Sequence, residues 1–160
     1  IAGRPVPEAQ RRWRARLLDA MADSHYQLGR KRVALALEAD HLAGLTRFLA
    51  GMGCEIQAAI AATRTRGLDD LPCERVLVGD LEDLEVAAAG ADLLVASSNG
   101  RQAAARLGVK AHLRTGYPVF DRLGAHQKVW SGYRGTMNLV FEVANLLQAS
   151  ASEAQKLAHN

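Results

Sequence analysis

One short segment of the chain carries residue types that could bind an anion. Ser97-Ser98-Asn99-Gly100-Arg101 follows a predicted strand and places hydroxyls, a glycine and a guanidinium at the predicted start of a helix. Backbone N–H groups at a helix start attract negative charge, so Ser98, Asn99, Gly100 and Arg101 are candidate cofactor-binding residues. The alternative is that Ser98 or Asn99 only caps the helix and Arg101 is solvated.

The long segment after the last predicted strand contains the remaining candidates, all for contacts with a partner or within the loop. Asp121 and Arg122 are adjacent and are predicted to form an ion pair that holds the loop. Tyr133 and Arg134 begin the last predicted helix. A cation is unfavourable at a helix start, which predicts a partner for Arg134, such as a carboxylate on another lobe. His126 lies between these residues, and a surface or capping role is expected for it.

Residue types that commonly perform catalysis or bind metals do not group together. The five histidines are separated by whole predicted elements, and no Ser-His-Asp, Cys-His or paired-carboxylate arrangement follows from the spacing. Cys54 and Cys73 match no zinc or cluster motif. Each adjoins a predicted strand, which favours buried thiols. The sequence therefore predicts no catalytic residue and no bound metal in this chain.

Short apolar segments alternate with helical patterns, which predicts a parallel sheet covered on both faces. The fold class predicted is α/β, a Rossmann-like parallel sheet of about five strands with helices on both faces. We expect strands at Arg32–Leu37, Cys54–Ala62, Arg75–Val78, Leu93–Ala96 and Ala111–Arg114, and helices at Glu8–Leu28, His41–Met52, Leu81–Ala89, Arg101–Leu107 and Tyr133–Leu147. The predicted division is a basic amphipathic helix (1–30), the Rossmann-like lobe (31–149) and a polar tail (150–160).

Local signals refine these elements. Asp40 is predicted to cap the second helix, and Asp80 with Asp83 to form a carboxylate capping box for the third. The first helix precedes the sheet, so we expect it to dock on a neighbouring lobe. The tail is expected to fray, because it is small and polar.

The loop after the first strand argues against a dinucleotide site. A Rossmann phosphate site needs a glycine-rich turn there, so that the backbone can approach the pyrophosphate. The sequence instead has Leu37-Glu38-Ala39-Asp40-His41, and its two carboxylates would repel phosphate.

Composition and charge restrict the kind of protein that the sequence can encode. The 160 residues carry a net charge of +3, with 20 basic and 17 acidic side chains. The arginines from Arg4 to Arg16 fit a solvated helix face better than a nucleic-acid site. No apolar run is long enough to span a bilayer, and no secretion signal begins the chain. These features, with few cysteines, predict a cytoplasmic protein that binds neither nucleic acid nor membrane. The chain begins at Ile1 rather than Met, which suggests a piece of a longer protein.

Several segments together resemble a known family. GYPVFDRLGAHQ (116–127) and GYRGTMNLVFEVANLL (132–147) are similar to the C-terminal region of the nitrogenase component 1 family. Further similar segments are GRPVP (3–7), LPCERVLVGDLEDLE (71–85) and GADLLVASSNGRQAAARLG (90–108). Within that family the chain most resembles a subunit of the scaffold on which the iron–molybdenum cofactor is matured.

The resemblance implies a function in nitrogen fixation. The chain would be the C-terminal lobe of a scaffold subunit, with a structural and partner-binding role and no enzymatic activity of its own. The implied partner is a NifE-like subunit in an α2β2 complex, with nitrogenase iron protein docking transiently. The parent complex is expected to hold an iron–sulfur cluster and an iron–molybdenum cofactor precursor, neither bound by this lobe.

The sequence also departs from the family's catalytic members. In their cofactor-bearing subunit a histidine ligand precedes a Gly-aromatic pair near the last helix, and Ser131 occupies the comparable position here. Serine does not replace imidazole as such a ligand. Two alternatives remain open. One is the equivalent lobe of a nitrogenase MoFe β chain or of a dark-operative protochlorophyllide reductase subunit. The other is a free-standing nucleotide-binding α/β domain.

Overall fold

A computed structural model of the protein describes residues 5–158, so Arg4 and the rest of the first four residues lie outside the described part. The helices are α1 (Glu8–Leu28), α2 (Ala39–Gly51), α3 (Leu81–Ala87), α4 (Arg101–Leu107) and α5 (Gly132–Ala158). The strands are β1 (Arg32–Ala36), β2 (Glu55–Ala61), β3 (Val76–Val78), β4 (Leu93–Ala96) and β5 (Ala111–Arg114). Single 3₁₀ turns occupy Arg66–Leu68, Ser98–Gly100 and Ala125–Gln127.

The strands form one parallel sheet in the order β3-β2-β1-β4-β5. This confirms the predicted five-stranded α/β fold. The central strands are continuous apolar runs because both faces of the sheet are covered. All four residues of β4 are buried. The strand order reverses between β1 and β4, and in open α/β sheets the crevice beyond the strand ends at such a point is the usual binding region.

Two apolar cores lie on opposite faces of the sheet. The larger core joins β1, β2, β4 and β5 to α1, α2 and α5, with Leu35, Leu49 and Val143 at its centre. The smaller core joins the other side of the sheet to α3 and α4, around Leu84 and Leu94. The crossing from β2 to β3 contains only one 3₁₀ turn, whose Leu68 packs into the larger core.

The capping predictions had opposite outcomes. Asp80 accepts hydrogen bonds from the amides of Glu82 and Asp83, and Asp83 accepts one from the Asp80 amide. The capping box is confirmed. The prediction for Asp40 is wrong, because α2 begins at Ala39 and Asp40 lies inside its first turn. A carboxylate there still favours the helix dipole without serving as the cap.

The last helix is longer than its apolar pattern predicted. α5 continues past Leu147 to Ala158, so the residues expected to fray as a tail continue the helix. Alanine, glutamate, glutamine and lysine dominate this extension and are good helix formers. Phe141 of this helix is 42% exposed, although it is a large apolar residue. Within this chain α1 packs along α5, and its docking on a neighbouring lobe stays a prediction.

Candidate functional site

The loops at the carboxyl ends of the strands meet around a small cleft. It has a volume of about 260 Å³ and lies at the reversal of strand order. Its lining comprises Ala36, Leu37, Glu38, Ile60, Ala62, Gly79, Asp80, Leu81, Ser97 and Tyr117. Its ionisable acids are Glu38 and Asp80, so the cleft has the acidic character expected from the loop after β1. Two carboxylates oppose the binding of a phosphate group in this cleft.

Ser98 faces the protein interior instead of a ligand site. Its hydroxyl donates a hydrogen bond to the carboxylate of Asp121 and accepts one from the Phe120 amide at 3.0 Å. The Ser98 amide donates to the carbonyl of Pro118 at 3.0 Å. The side chain is 2% exposed. Ser98 therefore holds the segment after β5, which we call the long loop (residues 115–131), against the end of β4.

Asp121 forms an ion pair with a residue other than the one predicted. Arg114, at the end of β5, donates from Nε to Asp121 Oδ2 at 2.7 Å. The two side chains are only 16% and 14% exposed. The expected pair between Asp121 and Arg122 is wrong, because Arg122 points to solvent while Arg114 and Ser98 reach the carboxylate from below. The expected effect, a loop held by this aspartate, is nevertheless present.

The electrostatics of Asp121 follow from these contacts. The hydrogen bond from Ser98, followed by the bond and charge of Arg114, lowers the pKa of Asp121 to about 2. Burial acts in the opposite direction but is outweighed. Hydrogen bonds and opposite charges favour the ionised carboxylate. Asp121 therefore stays charged throughout the physiological pH range.

A second attachment holds the start of the long loop. Glu38 Oε1 accepts a hydrogen bond from the Tyr117 amide at 3.2 Å. Gly116 makes this approach possible. Its φ is +80°, and a Cβ there would lie 2.8 Å from Leu37 Cδ2 and 3.0 Å from Glu38 Oε2. Only glycine combines this backbone angle with so close a contact.

A buried histidine supports the 3₁₀ turn at Ser98–Gly100 from below. His112 Nε2 lies 3.3 Å from the carbonyl oxygen of Ala96, and the side chain is almost fully buried. Burial, with the charge of Arg114, lowers the pKa of His112 to about 4. Gly100 sits directly above, where a Cβ would lie 2.7 Å from the Ala96 Cβ and 3.5 Å from His112 Nε2. This contact explains why glycine occupies position 100.

The other two candidates in this segment point outward. Asn99 and Arg101 are exposed, and neither α4 nor the preceding 3₁₀ turn has a side-chain cap. The capping interpretation of Ser98 and Asn99 is therefore wrong. The four predicted anion-binding residues do not converge on one point, since Ser98 and Gly100 are buried. An anion-binding role for the segment stays a prediction.

Arg134 has an aromatic partner in its own chain. Its guanidinium carbon lies 4.9 Å from the centre of the Trp13 ring, and that of Arg16 lies at the same 4.9 Å. Cations are attracted to the face of an indole ring. The contact joins the start of α5 to α1. Within the chain the partner of Arg134 is therefore Trp13, while Tyr133 beside it is half-buried. A carboxylate partner on another lobe stays a prediction.

His126 is exposed and lines a second cleft under the long loop. The cleft has a volume of about 270 Å³, and its ionisable lining residues are His41, Arg114, His126 and Lys128. Arg114 is paired with Asp121, and Lys128 with Glu142 at 2.9 Å. Burial lowers the pKa of His41. Most of the positive charge around this cleft is therefore already neutralised.

The cysteines are poorly suited to bind an iron–sulfur cluster. Cys54 is buried and donates to the Leu28 carbonyl, and burial raises the pKa of its thiol to about 12. Cys73 donates to the Arg75 carbonyl at 3.0 Å, and its pKa is also raised, chiefly by burial. A cluster ligand must be a thiolate. Over residues 5–158, His, Cys, Asp and Glu form no group of three or more that could hold a metal ion.

Three contact residues escaped the sequence interpretation, namely Arg114, Glu38 and Trp13. Each binds a residue far away in the chain, so spacing alone could not pair them. A usable signal existed for Arg114 and Glu38, because both stand at the carboxyl end of a predicted strand. Residues there meet at one edge of a parallel sheet. For Trp13 the sequence offered no signal beyond its place in an amphipathic helix.

The parallel sheet, its strand order and the loops at its carboxyl edge define a Rossmann-like α/β domain. The solved structure described as "Nitrogenase Cp1 at pH 6.5" has this fold, with a TM-score of 0.84 and 26% identity over 94% of this chain and 35% of that chain. The family model for nitrogenase component 1 type oxidoreductases matches residues 1–148. The chain belongs to this family.

Individual relatives show which members of the family this chain is similar to. The chain is 49% identical over 151 residues to the nitrogenase iron-molybdenum cofactor biosynthesis protein NifN of Mesorhizobium japonicum, covering 94% of the chain and 33% of that protein. It is 46% identical to the NifN of Rippkaea orientalis, covering 90% of the chain and 31% of that protein. It is 43% identical to the NifN of Klebsiella pneumoniae, covering 92% of the chain and 32% of that protein. The chain thus spans about a third of the length of these relatives.

Within residues 5–158 no helix has both the length and the apolar character needed to cross a membrane.

Proposed function

We propose that this chain is the C-terminal lobe of a NifN-like scaffold subunit, on which the iron–molybdenum cofactor of nitrogenase is assembled. The observation that carries the proposal is identity of 42–49% to proteins of that name over nearly the whole chain. Identity to the solved structure of nitrogenase Cp1 is 26%. The scaffold role is therefore better supported than the alternative of a catalytic nitrogenase lobe.

The lobe acts through contacts in this proposal, not through chemistry of its own. Burial raises the pKa of both thiols and so favours their protonated form, and each thiol donates to a backbone carbonyl. The iron–sulfur cluster and the cofactor precursor would be bound by other parts of the parent complex as its cargo. The long loop and the start of α5, including Asp121, Arg122, His126, Tyr133 and Arg134, would position surfaces for neighbouring lobes or subunits.

The proposed partners follow from the same assignment. A NifE-like subunit would complete an α2β2 complex, and nitrogenase iron protein would dock transiently. A cytoplasmic location belongs to this proposal as well. The acidic cleft between Glu38 and Asp80 argues against a free-standing nucleotide-binding domain.

Complementation with cofactor add-back tests the assignment. The longer subunit containing this chain is expressed in a nitrogen-fixing strain that lacks its own NifN. We expect growth on dinitrogen to return. In extracts of the uncomplemented strain, purified iron–molybdenum cofactor should restore nitrogenase activity. Failure to complement, although the subunit accumulates and add-back still works, would contradict the proposal.

A further inference from the structure

The two outer edges of the sheet are protected differently. At the β5 edge, Arg114 Nη1 donates to the His112 carbonyl at 3.3 Å, and the first three residues of the strand are buried. Among residues 5–158, β3 pairs only with β2, and neither Val76 nor Val78 receives a hydrogen bond from a side chain. An open strand edge is a template for pairing with another chain, and proteins usually cover it. The β3 edge is therefore the one that could accept a further strand.

The backbone groups of Val76 and Val78 point away from the sheet. The Arg75 carbonyl accepts a hydrogen bond from β2 at 2.9 Å, and the Gly79 amide donates one to β2 at 3.0 Å. Alternate residues of a strand direct their N–H and C=O groups to opposite sides in the ladder. Since Arg75 and Gly79 face β2, the two valines present two N–H and two C=O groups on the outer side.

The side chains beside these groups are apolar and partly exposed. Val76 is 37% exposed and Val78 53%, whereas Leu77 between them packs against the smaller core. A groove of about 180 Å³ follows the strand. It is lined by Arg64, Leu68, Asp69, Val76, Leu77 and Val78. An added strand would place alternate side chains next to the two valines, where β-branched residues pack well.

Charge defines the ends of the segment that would fit. Glu74 precedes the strand and Asp80 follows it; both are exposed, and neither forms an ion pair among the described residues. The arginines nearby are already used, since Arg64 pairs with Asp69 at 3.0 Å and Arg75 donates to a carbonyl of α3 at 3.1 Å. The complementary segment is therefore basic at its ends.

The same charges argue against a second copy of this chain as the added strand. A contact between two copies of one surface has two-fold symmetry, so the two β3 strands would run antiparallel. Placing Val76 opposite Val78 of the other copy brings Glu74 close to the other copy's Asp80. Like charges facing each other across a strand pair are destabilising.

We infer that the β3 edge accepts an extended segment of another protein as a sixth strand. The segment has apolar or β-branched residues at alternate positions and a lysine or arginine at each end. In strand addition, backbone hydrogen bonds provide affinity and the alternate side chains provide specificity. Only two residues of β3 offer backbone groups, so we expect a reversible contact. The inference goes beyond the scaffold role and does not depend on it.

Amide hydrogen exchange tests the open edge in the full polypeptide in which this chain occurs. Without a partner, the amides of Val76 and Val78 should exchange fast, and the Gly79 amide, which is bonded to β2, should exchange slowly. The probe is the peptide Lys-Val-Thr-Val-Thr-Val-Lys. At saturation it should slow the exchange of both valine amides roughly tenfold and leave Gly79 unchanged.

Modified probes separate strand pairing from adsorption to the apolar groove. Fluorescence anisotropy of the labelled peptide measures its binding. N-methylation of the three valines blocks the N–H groups on one side of the extended peptide, and N-methylation of the two threonines blocks those on the other. One modification should weaken binding roughly tenfold or more and the other little, because an added strand pairs through one side only.

A charge reversal tests the ends of the segment. Glu74→Lys should weaken binding of the lysine-flanked probe roughly fivefold, the effect of an exposed ion pair. It should strengthen binding of a probe with glutamate in place of both lysines. Glu153→Lys is the matched control, because it makes the same change at an exposed position of α5, and it should leave both affinities unchanged.

Three results would overturn the inference. Slow exchange of Val76 and Val78 in the full polypeptide alone would show that its own chain covers the edge. Protection that rises with protein concentration and needs no peptide would identify a second copy as the added strand. Equal effects of the two N-methylated probes would show that binding does not use the backbone of β3.

Discussion

The attachment of the long loop by Asp121 leads to a quantitative prediction. The substitution is Asp121→Asn, which keeps the shape of the side chain and removes its charge. The pKa of Asp121 falls from 3.8 to about 2 in the folded protein. One pKa unit corresponds to about 1.4 kcal/mol. The ionised carboxylate therefore contributes roughly 2 kcal/mol to the free energy of unfolding near neutral pH, and we expect the variant to lose about that much.

The pH dependence has a definite sign. A carboxylate with a lowered folded-state pKa stabilises the protein above its unfolded-state pKa, and this contribution disappears as the pH falls through the folded-state value. The stability difference between wild type and Asp121→Asn should therefore be constant above about pH 5 and roughly half as large near pH 3. Urea unfolding at a series of pH values measures it.

Asp69→Asn is the matched control. Asp69 Oδ1 also pairs with an arginine, Arg64, at 3.0 Å, but both side chains are largely exposed. Exposed ion pairs contribute about 0–1 kcal/mol, so this variant should change stability little at any pH. If Asp121→Asn cost no more than Asp69→Asn, or if its cost did not shrink toward pH 3, the argument about the loop would be refuted.

Three further predictions concern the surroundings of the loop. His112, with its pKa lowered to about 4, should make wild-type stability fall between about pH 6.5 and pH 4, because only the unfolded state takes up the proton there; His112→Gln should flatten this part of a urea-unfolding pH profile. Gly100→Ala should cost about 1–3 kcal/mol by overpacking, whereas Gly44→Ala, where nothing lies within 4 Å of the added Cβ, should be neutral or slightly stabilising in thermal melts. Arg134→Ala should lower the free energy of unfolding by about 0.5–1 kcal/mol through its contact with Trp13. In a double-mutant cycle, the same substitution should cost nothing when Trp13 has already been replaced by alanine.

Features set by local patterns were predictable from the sequence. The strand positions follow from short apolar runs, and the Asp80 capping box from a carboxylate at each end of a four-residue interval. The end of α5 was missed because the prediction relied on its apolar stripe, and the last turns of the helix are polar. Helix propensity, which favours Ala, Glu, Gln and Lys, would have extended it.

The candidate site was harder to predict because its pairs are distant in the chain. Asp121 was correctly selected as a residue that holds the loop, but its neighbour Arg122 was chosen as partner over Arg114. Adjacent residues on an extended loop point in different directions, whereas a residue at the end of β5 lies under the loop that follows. Ser98 was selected as a polar group at a helix start. Sequence alone did not show that the long loop, through Phe120 and Asp121, binds the Ser98 hydroxyl.

Replacing the matching third of a NifN relative tests the central claim most directly. The third of the Klebsiella pneumoniae NifN that matches this chain with 43% identity is replaced by the present chain or by the matching third of nitrogenase Cp1. The measurement is nitrogenase activity in a strain that depends on the hybrid for cofactor maturation. Our account predicts substantial activity with the present chain and little with the Cp1 third. Activity with the Cp1 third alone, from hybrids of equal abundance, would contradict it.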